Sequence, residues 1–208
     1  MIIAVDGPTA SGKGTIARRL AEHFGVPHLD TGLLYRAVGW QVAKNDGDPD
    51  NPNDALAGCA FPDELLDDDM LRSEEVGSLA SRVSVHPDVR EALYRRQRAF
   101  AEQPGGAVLD GRDIGTVIAP DADVKLFITA SVHERARRRW LEMTGREIEI
   151  PLDEIEKDVV GRDARDINRK DAPLKAAPDA LIIDTTSFDR EQAFETVLEA
   201  VKTQLASQ

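Results

Sequence analysis

A chain of 208 residues predicts one domain, or one domain with a sizeable insert, which can bury a core without disulfides or a structural metal. Its 26 Lys and Arg against 38 Asp and Glu give a net charge of −12, which opposes general nucleic-acid binding because phosphate would be repelled. One cysteine excludes an internal disulfide and indicates a reducing compartment, and apolar runs of at most four residues predict no membrane-spanning helix.

Short apolar segments alternate with helical ones along most of the chain, and each apolar segment has the length of a buried strand. The first of them, Ile2–Asp6, follows Met1 directly, without the basic region or the cleavage site of a signal peptide, so we expect a cytoplasmic protein. The predicted strands are 2–6, 28–30, 107–110, 124–129 and 180–184. The predicted helices are 13–24, 31–44, 74–102 with a break near Pro87, 131–143, 152–168 and 189–205. Five strands alternating with helices predict an α/β fold whose parallel sheet is covered on both faces.

Charge is distributed unevenly along the chain. Residues 45–71 include nine acidic residues and no Lys or Arg, so the net charge of the rest of the chain is only about −3. This Asp-, Asn-, Pro- and Gly-rich stretch is predicted to be a surface loop or an irregular insert, and its acidic run is interpreted as solvated rather than as a metal site. Of the 26 cationic residues, 19 are Arg, whose forked guanidinium suits phosphate. The pattern therefore favours a small, multiply charged anionic ligand over a polymer.

The segment Gly7–Thr15 reads Gly-Pro-Thr-Ala-Ser-Gly-Lys-Gly-Thr and joins the first strand to the first helix. Its glycines let backbone N–H groups turn toward phosphate oxygens, and the helix N-terminus adds positive potential, so we predict a phosphate-binding loop. Lys13 is expected to reach the β- and γ-phosphates. The residues predicted to hold the triphosphate are Gly7, Ser11, Gly12, Lys13, Gly14 and Thr15. Because Gly14 follows Lys13 and the hydroxyl comes one place later, the loop resembles those of small nucleoside monophosphate kinases more than those of GTPases.

Four further segments carry a closer resemblance. Asp30–Arg36 reads D-T-G-L-L-Y-R, Ser81–Arg90 reads S-R-V-S-V-H-P-D-V-R, Gly111–Thr116 reads G-R-D-I-G-T, and Arg162–Arg169 reads R-D-A-R-D-I-N-R. In order and spacing the chain resembles bacterial cytidylate kinases over nearly its whole length. The resemblance implies a P-loop kinase fold with a five-stranded parallel sheet, a lid arm and a monophosphate-binding insert. It implies transfer of the γ-phosphoryl group of ATP to CMP or dCMP with Mg²⁺, by a monomer without nucleic-acid or membrane partners.

The same resemblance divides the chain into a core over about 1–30, 104–130 and 170–208, a monophosphate-binding arm over about 31–103 and a lid over about 131–169. Arg135 and Arg139 lie one helical turn apart in the lid, with Arg138 alongside. These three arginines and Arg165 are the candidates for contact with ATP, and the sequence does not choose among them. The residues expected to act in phosphoryl transfer are Lys13, Arg112, Arg135, Arg139 and Arg169. No side chain is assigned as a direct Mg²⁺ ligand, and Thr15 is the candidate for that role.

The acceptor-binding residues are also implied by matched positions. Thr31, Arg36, Arg112 and Arg169 match positions around the acceptor phosphate, Ser81, Arg90 and Asp113 match positions that read the base, and Arg162 and Asp166 match positions that hold the sugar. Asp113 can accept from the amino group of cytosine, whereas uracil would present a carbonyl oxygen to it, so UMP should be rejected. Because the acceptor oxygen is already anionic, no general base is needed. The histidines His23, His28, His86 and His133 are therefore interpreted as surface or packing residues.

One departure from the family and three alternatives stay open. Residues 45–73 are shorter and more acidic than the insert that many bacterial cytidylate kinases carry, which puts the base selection in question. Another small P-loop kinase, acting on AMP, UMP, dTMP or a metabolite such as shikimate, would share the loop. A non-catalytic nucleotide-binding module would bind without transfer. A nucleic-acid-binding protein would use the arginine clusters, but the net charge and the 5% aromatic content oppose it.

Overall fold

The protein is an α/β structure built on one parallel sheet. The computed structural model describes residues 1–145 and 150–207, so positions 146–149 of the predicted lid lie outside the described residues. The strands are β1 (Ile2–Asp6), β2 (His28–Asp30), β3 (Ala107–Gly111), β4 (Val124–Thr129) and β5 (Leu181–Asp184). Their order in the sheet is β2-β3-β1-β4-β5, and all four neighbouring pairs are parallel. The predicted five-stranded α/β fold is confirmed.

The helices surround this sheet. They are α1 (Lys13–Phe24), α2 (Thr31–Lys44), α3 (Pro52–Ala57), α4 (Glu74–Val83), α5 (Pro87–Ala101), α6 (Val132–Thr144), α7 (Leu152–Ile167) and α8 (Arg190–Ala206). The predicted break at Pro87 separates α4 from α5, because proline suits the first turn, where its missing N–H leaves no bond unmade. Among the described residues, no helix combines the length and the hydrophobicity that crossing a bilayer requires.

Strand β1 forms the centre of the sheet and sends its side chains to both faces. Ile3 and Val5 are fully buried in a cluster with side chains of α1, β4 and α8. Ala4 contacts the opposite cluster, which includes Leu109 of β3 and the following Ile114. Burying a Val, Leu or Ile side chain contributes roughly 1.5–3 kcal/mol, so these two layers hold the carboxyl ends of the strands in fixed positions.

Residues 45–71 are more regular than the surface loop or irregular insert that we predicted. The segment forms α3 and one 3-10 helix (Asp63–Asp67), and a second 3-10 helix (Asp69–Arg72) begins within it. Leu65 and Leu71 are buried against α2 in a cluster with Ala37. This burial stabilises short helices that the polar composition of the segment does not predict. The acidic side chains themselves face outward or lie half-buried, and among the described residues no group of three His, Cys, Asp or Glu could hold a metal.

Candidate active site

The loop after β1 has the geometry of a phosphate cradle. Gly7 passes so close to β4 that a Cβ atom there would overlap the carbonyl oxygen of Ile128. Gly12 has a φ of 87°, in the left-handed region that glycine adopts without strain, and it caps the N-terminus of α1. The hydroxyl of Ser11 is buried without a hydrogen-bond partner among the described residues. The loop therefore presents unsatisfied donors at a helix N-terminus, where an anion is favoured.

Lys13 is buried at the start of α1, and its ammonium group is weakly satisfied. The Nζ atom donates to the carbonyl oxygen of Pro8 over 3.3 Å. Burial, helped by the nearby Arg112, lowers the pKa of Lys13 to about 8, although Asp110 and Asp30 act in the opposite direction. A buried cation with one long hydrogen bond gains from an anionic partner, so the lysine is well suited to a phosphate group.

Two carboxylates lie beside the loop, at the ends of β2 and β3. Burial, reinforced by Asp110, raises the pKa of Asp30. Asp110 Oδ1 lies 2.7 Å from Nε2 of His28, and a Cβ atom at Gly14 would lie 3.6 Å from Asp110 Oδ2. With the exposed Thr15, these groups are the oxygen donors that Mg²⁺ prefers when it is also bound by phosphates and water.

A cleft of ≈ 600 Å³ opens between the end of β3 and helices α2, α4, α5 and α7. All nine residues that the sequence assigned to acceptor binding line it, namely Thr31, Arg36, Ser81, Arg90, Arg112, Asp113, Arg162, Asp166 and Arg169. Thr9 of the phosphate-binding loop lines the same cleft, so its inner end lies beside that loop. Sequence analysis did not single out Tyr35, which also lines the cleft and lies in the D-T-G-L-L-Y-R segment.

Ionic pairs organise the wall of the cleft. The buried carboxylate of Asp113 accepts from Arg90, and burial raises its pKa while Arg90 and Arg169 act to lower it. Nη1 of Arg90 and both Nε and Nη2 of Arg169 are buried without a hydrogen-bond partner among the described residues. Unpaired buried guanidinium donors cost free energy unless a ligand satisfies them. The cleft therefore fits a ligand that is rich in acceptor atoms and negative charge.

A second group of charges joins α4 to α6 and α7. Glu74 pairs with both Arg139 and Arg162, and Nε of Arg139 donates to Glu74 Oε2 over 2.7 Å. Burial and the nearby Arg139 and Arg162 lower the pKa of Arg36 to about 10. Gly77 leaves room for this crowding, because a Cβ atom there would lie 2.8 Å from Arg36 Nη2 and 2.9 Å from Arg162 Nη1. The sequence analysis did not predict a role for Glu74, because its partners lie 65 and 88 residues away in the chain.

The arginines of α6 lie outside the cleft. Arg135 donates to the carbonyl oxygen of Thr9 over 3.1 Å and to Asp163 over 2.6 Å, which holds α6 against the phosphate-binding loop. Arg138 donates to the carbonyl oxygen of Thr185 over 2.6 Å. Arg137 is exposed. Of the two α6 arginines assigned to phosphoryl transfer, Arg135 thus borders the loop, and Arg139 is occupied by Glu74.

Asp6 was also missed by the sequence analysis. It is buried at the end of β1, where its carboxylate accepts the backbone N–H groups of Ile114 and Gly115 at 2.8 Å each. Burial raises the pKa of Asp6 to about 7 in spite of these two bonds. The two donors open a π-helical turn (Ile114–Ile118) that the sequence did not predict. The only sequence signal was an acidic residue directly before the glycine-rich loop.

Solved structures of other proteins share this fold at low sequence identity. A solved structure of an uncharacterized protein from Eubacterium ventriosum superposes with a TM-score of 0.57 at 16% identity over 98% of each chain. A protein from Thermus thermophilus superposes with a TM-score of 0.51 at 20% identity, over 99% of this chain and 97% of its own. At such low identity these likenesses support the fold alone.

Sequence similarity is more specific. The family model described as cytidylate kinase matches residues 3–203. Proteins named cytidylate kinase from Methylocella silvestris and from Cereibacter sphaeroides strain KD131 are 51% and 52% identical, over 97% and 96% of this chain and 94% of each relative. A third, from Xanthobacter autotrophicus, is 50% identical over 99% of both chains. The chain belongs to the cytidylate kinase family, whose members transfer the γ-phosphoryl group of ATP to CMP or dCMP.

Proposed function

We propose that this chain phosphorylates CMP and dCMP by binding ATP at residues 7–15 and the monophosphate in the adjoining cleft. One observation supports this division above the others: the nine assigned acceptor residues, scattered from position 31 to position 169, line a single cleft that reaches Thr9 of the ATP loop. Two phosphate groups bound in these places would meet at the inner end of the cleft. Phosphoryl transfer needs such in-line positioning more than it needs a general base.

Arginine and lysine side chains would neutralise the charge of the two substrates. Lys13 belongs to the ATP loop, and its Nζ atom lies beside the carbonyl oxygen of Pro8. Arg112 and Arg169 line the cleft and are assigned to the phosphate that receives the γ-phosphoryl group. Arg36 and Thr31 are assigned to the same acceptor phosphate. The unpaired donors of Arg169 support this role, because an anion would supply the missing acceptors.

Base selection is assigned to Asp113, Arg90 and Ser81. The pairing of Arg90 with Asp113 keeps a buried carboxylate facing the cleft. If the base presented a carbonyl oxygen to this carboxylate, no water would be there to donate a hydrogen bond to it. Arg162 and Asp166 are assigned to the sugar. Cytosine presents an amino donor to the carboxylate, whereas uracil presents an acceptor, so CMP and dCMP should be strongly preferred over UMP.

Residues 131–169 are proposed to act as a lid and residues 31–103 as the monophosphate-binding arm. Water must be excluded during transfer, and arginines at the lid would replace it around the phosphates. Arg135 already contacts the ATP loop, and Arg139 would exchange Glu74 for a phosphate when nucleotide binds. This assignment rests on the ionic pairs that join α4 to α6 and α7.

Mg²⁺ is proposed as the metal, held by Thr15 and by the carboxylates of Asp30 and Asp110 together with ATP. The bound ion would neutralise part of the phosphate charge. The family resemblance and the acidic surface further support a cytoplasmic monomer that acts without nucleic acid.

The test is ADP formation from ATP and Mg²⁺, with CMP, dCMP, UMP, AMP and dTMP as separate acceptors. We expect rapid turnover with CMP and dCMP and weak turnover with UMP. Comparable rates with UMP would support the kinase activity but refute the assignment of Asp113 to base selection. Binding of ATP without transfer to any acceptor would instead support the nucleotide-binding module.

A further inference from the structure

Asp6 connects the two loops that the proposed reaction must hold in register. It is the last residue of β1, the central strand, and Gly7 of the ATP loop follows it directly. Its side chain is 3% exposed. Both oxygens are engaged, because Oδ1 accepts the N–H of Ile114 and Oδ2 accepts the N–H of Gly115, each over 2.8 Å.

Those two N–H groups belong to the loop that carries the assigned acceptor residues. Arg112 and Asp113 immediately precede Ile114 in the chain, and both line the cleft. The π-helical turn that begins at Ile114 is capped by the Asp6 carboxylate, with no side-chain cap from its own N-terminal residue. The contact spans 108 residues of sequence and extends, beyond the strand ends, the pairing of β1 with β3, in which Asp6 lies opposite Gly111. The side chain of Asp6 thus ties the acceptor loop to the start of the ATP loop.

We propose that Asp6 is a positioning residue for phosphoryl transfer, which sets Arg112 and Asp113 relative to the ATP loop. The inference rests on the proposed roles of Arg112 and Asp113 in acceptor binding. Asp6 is not among the described residues that line the cleft, so it would act through the loop.

The chemistry of the contact explains why a carboxylate stands there. A buried charge is unfavourable unless hydrogen bonds satisfy it, and here two backbone donors do so. Asparagine has nearly the same shape, but its amide can accept only one of the two N–H groups and must direct its own donor at the other. Asp6→Asn should therefore shift the loop without leaving a cavity.

The experiment measures kcat/KM for CMP and for UMP in the wild-type chain, Asp6→Asn and Asp113→Asn. We expect Asp6→Asn to lower the CMP-to-UMP ratio at least about tenfold, and the double variant to show no further loss beyond Asp113→Asn. The control for lost stability is Asp189→Ala. Oδ1 of Asp189 accepts two backbone N–H groups, at 2.9 and 2.8 Å, where α8 begins, away from the cleft. Removing this helix cap should lower the unfolding temperature and leave the ratio unchanged.

The outcomes separate the inference from the site assignment. A lowered ratio in Asp113→Asn with an unchanged ratio in Asp6→Asn overturns the positioning role and keeps Asp113 as the base reader. An unchanged ratio in Asp113→Asn refutes the assignment of the base reader itself, and the positioning role with it. A ratio in Asp189→Ala that falls as far as in Asp6→Asn would mean that lost stability alone is responsible, and would overturn the positioning role.

Amide hydrogen exchange in the wild-type protein gives a test that needs no variant to fold. Backbone amide hydrogens that are bonded to a buried carboxylate should exchange with solvent only when the surrounding structure opens. We expect the amides of Ile114 and Gly115 to exchange as slowly as those of β1. Exchange as fast as in an exposed loop would overturn the proposal.

Discussion

Nε of Arg112 donates to Oδ2 of Asp166 over 2.8 Å, although 54 residues separate them in the chain. The bond joins the loop after β3 to helix α7, and both residues line the cleft. Arg112, which is assigned to the acceptor phosphate, is therefore held in place by Asp166, which is assigned to the sugar. Neither motif alone contains this relationship, because it exists only after the two segments have folded together.

Asp166→Asn keeps the shape of the side chain and removes the charge that holds Arg112. We expect kcat/KM for CMP to fall by about tenfold to hundredfold, since small displacements of a positioning group cost that much. Steady-state kinetics with CMP measures it. The control is Asp153→Asn, an exposed residue in the first turn of the same helix that pairs with Lys157 at 2.9 Å. Equal losses in the two variants would contradict a specific role for the Arg112 contact.

Asp113→Asn should reduce the preference for CMP over UMP. The amide can turn its donor toward the uracil carbonyl, so the clash that excludes UMP is removed, and one such contact discriminates by about 1–3 kcal/mol. The preference should fall by about tenfold to hundredfold, with the KM for ATP little changed. The variant also leaves the buried Arg90 without its carboxylate, so a lower unfolding temperature is expected. A preference equal to that of the wild-type chain would remove Asp113 from the base-reading role.

Local signals in the sequence predicted the elements that depend on local chemistry. Glycines at 7 and 12 with Lys13 marked the phosphate-binding loop, and Pro87 marked the break between α4 and α5. The acceptor residues could be assigned because their motifs resemble those of a family, and the structure brings all of them to one cleft.

What the sequence could not predict depends on contacts between distant segments. Helix α3 buries Ala55 against Val38 and Val42 of α2. The two 3-10 helices of the acidic stretch bury Leu65 and Leu71 in a cluster with Ala37 of α2. The pair of Glu74 with Arg139 joins residues 65 positions apart, and the capping of Ile114 by Asp6 joins residues 108 apart. Such contacts follow from the order of strands in the sheet and the packing of helices, which periodicity does not encode.

The depressed pKa of Lys13 makes nucleotide binding depend on pH. Burial holds the pKa of this group at about 8 in the free protein, well below its usual range, and bound phosphates would raise it again. Below pH 8 the lysine is already charged. Above it, binding must take up a proton, so affinity should weaken as the pH rises through 8, by up to about tenfold per unit.

Calorimetry with ADP and no added metal, at pH 8.5 in two buffers of different ionisation enthalpy, measures the proton uptake directly. The control is Lys13→Arg, whose guanidinium stays charged over this range, and which should bind without uptake. Proton release instead of uptake, or an equal uptake in Lys13→Arg, would rule out Lys13 as the titrating group.

Glu74 is an internal anion that occupies two arginines in the free protein. Burial opposes its ionisation, but Arg162 and Arg139 hold the pKa of its carboxyl below the usual range, so it stays charged near neutral pH. Any phosphate that binds Arg139 must compete with it. Glu74→Gln removes the competing charge while keeping the side-chain length. We therefore expect KM for ATP to fall by about two- to tenfold.

The variant should also be less stable, since α4 loses its ionic contact with α6 and α7 and leaves Arg162 buried without that partner. Glu75→Gln is the matched control, because it neutralises the neighbouring exposed carboxylate in the same helical turn. Steady-state kinetics and thermal unfolding of both variants distinguish competition from a general charge effect. If Glu74→Gln instead raised KM for ATP, the pair with Arg139 would be part of the nucleotide-bound state, and Glu74 would help to close the site.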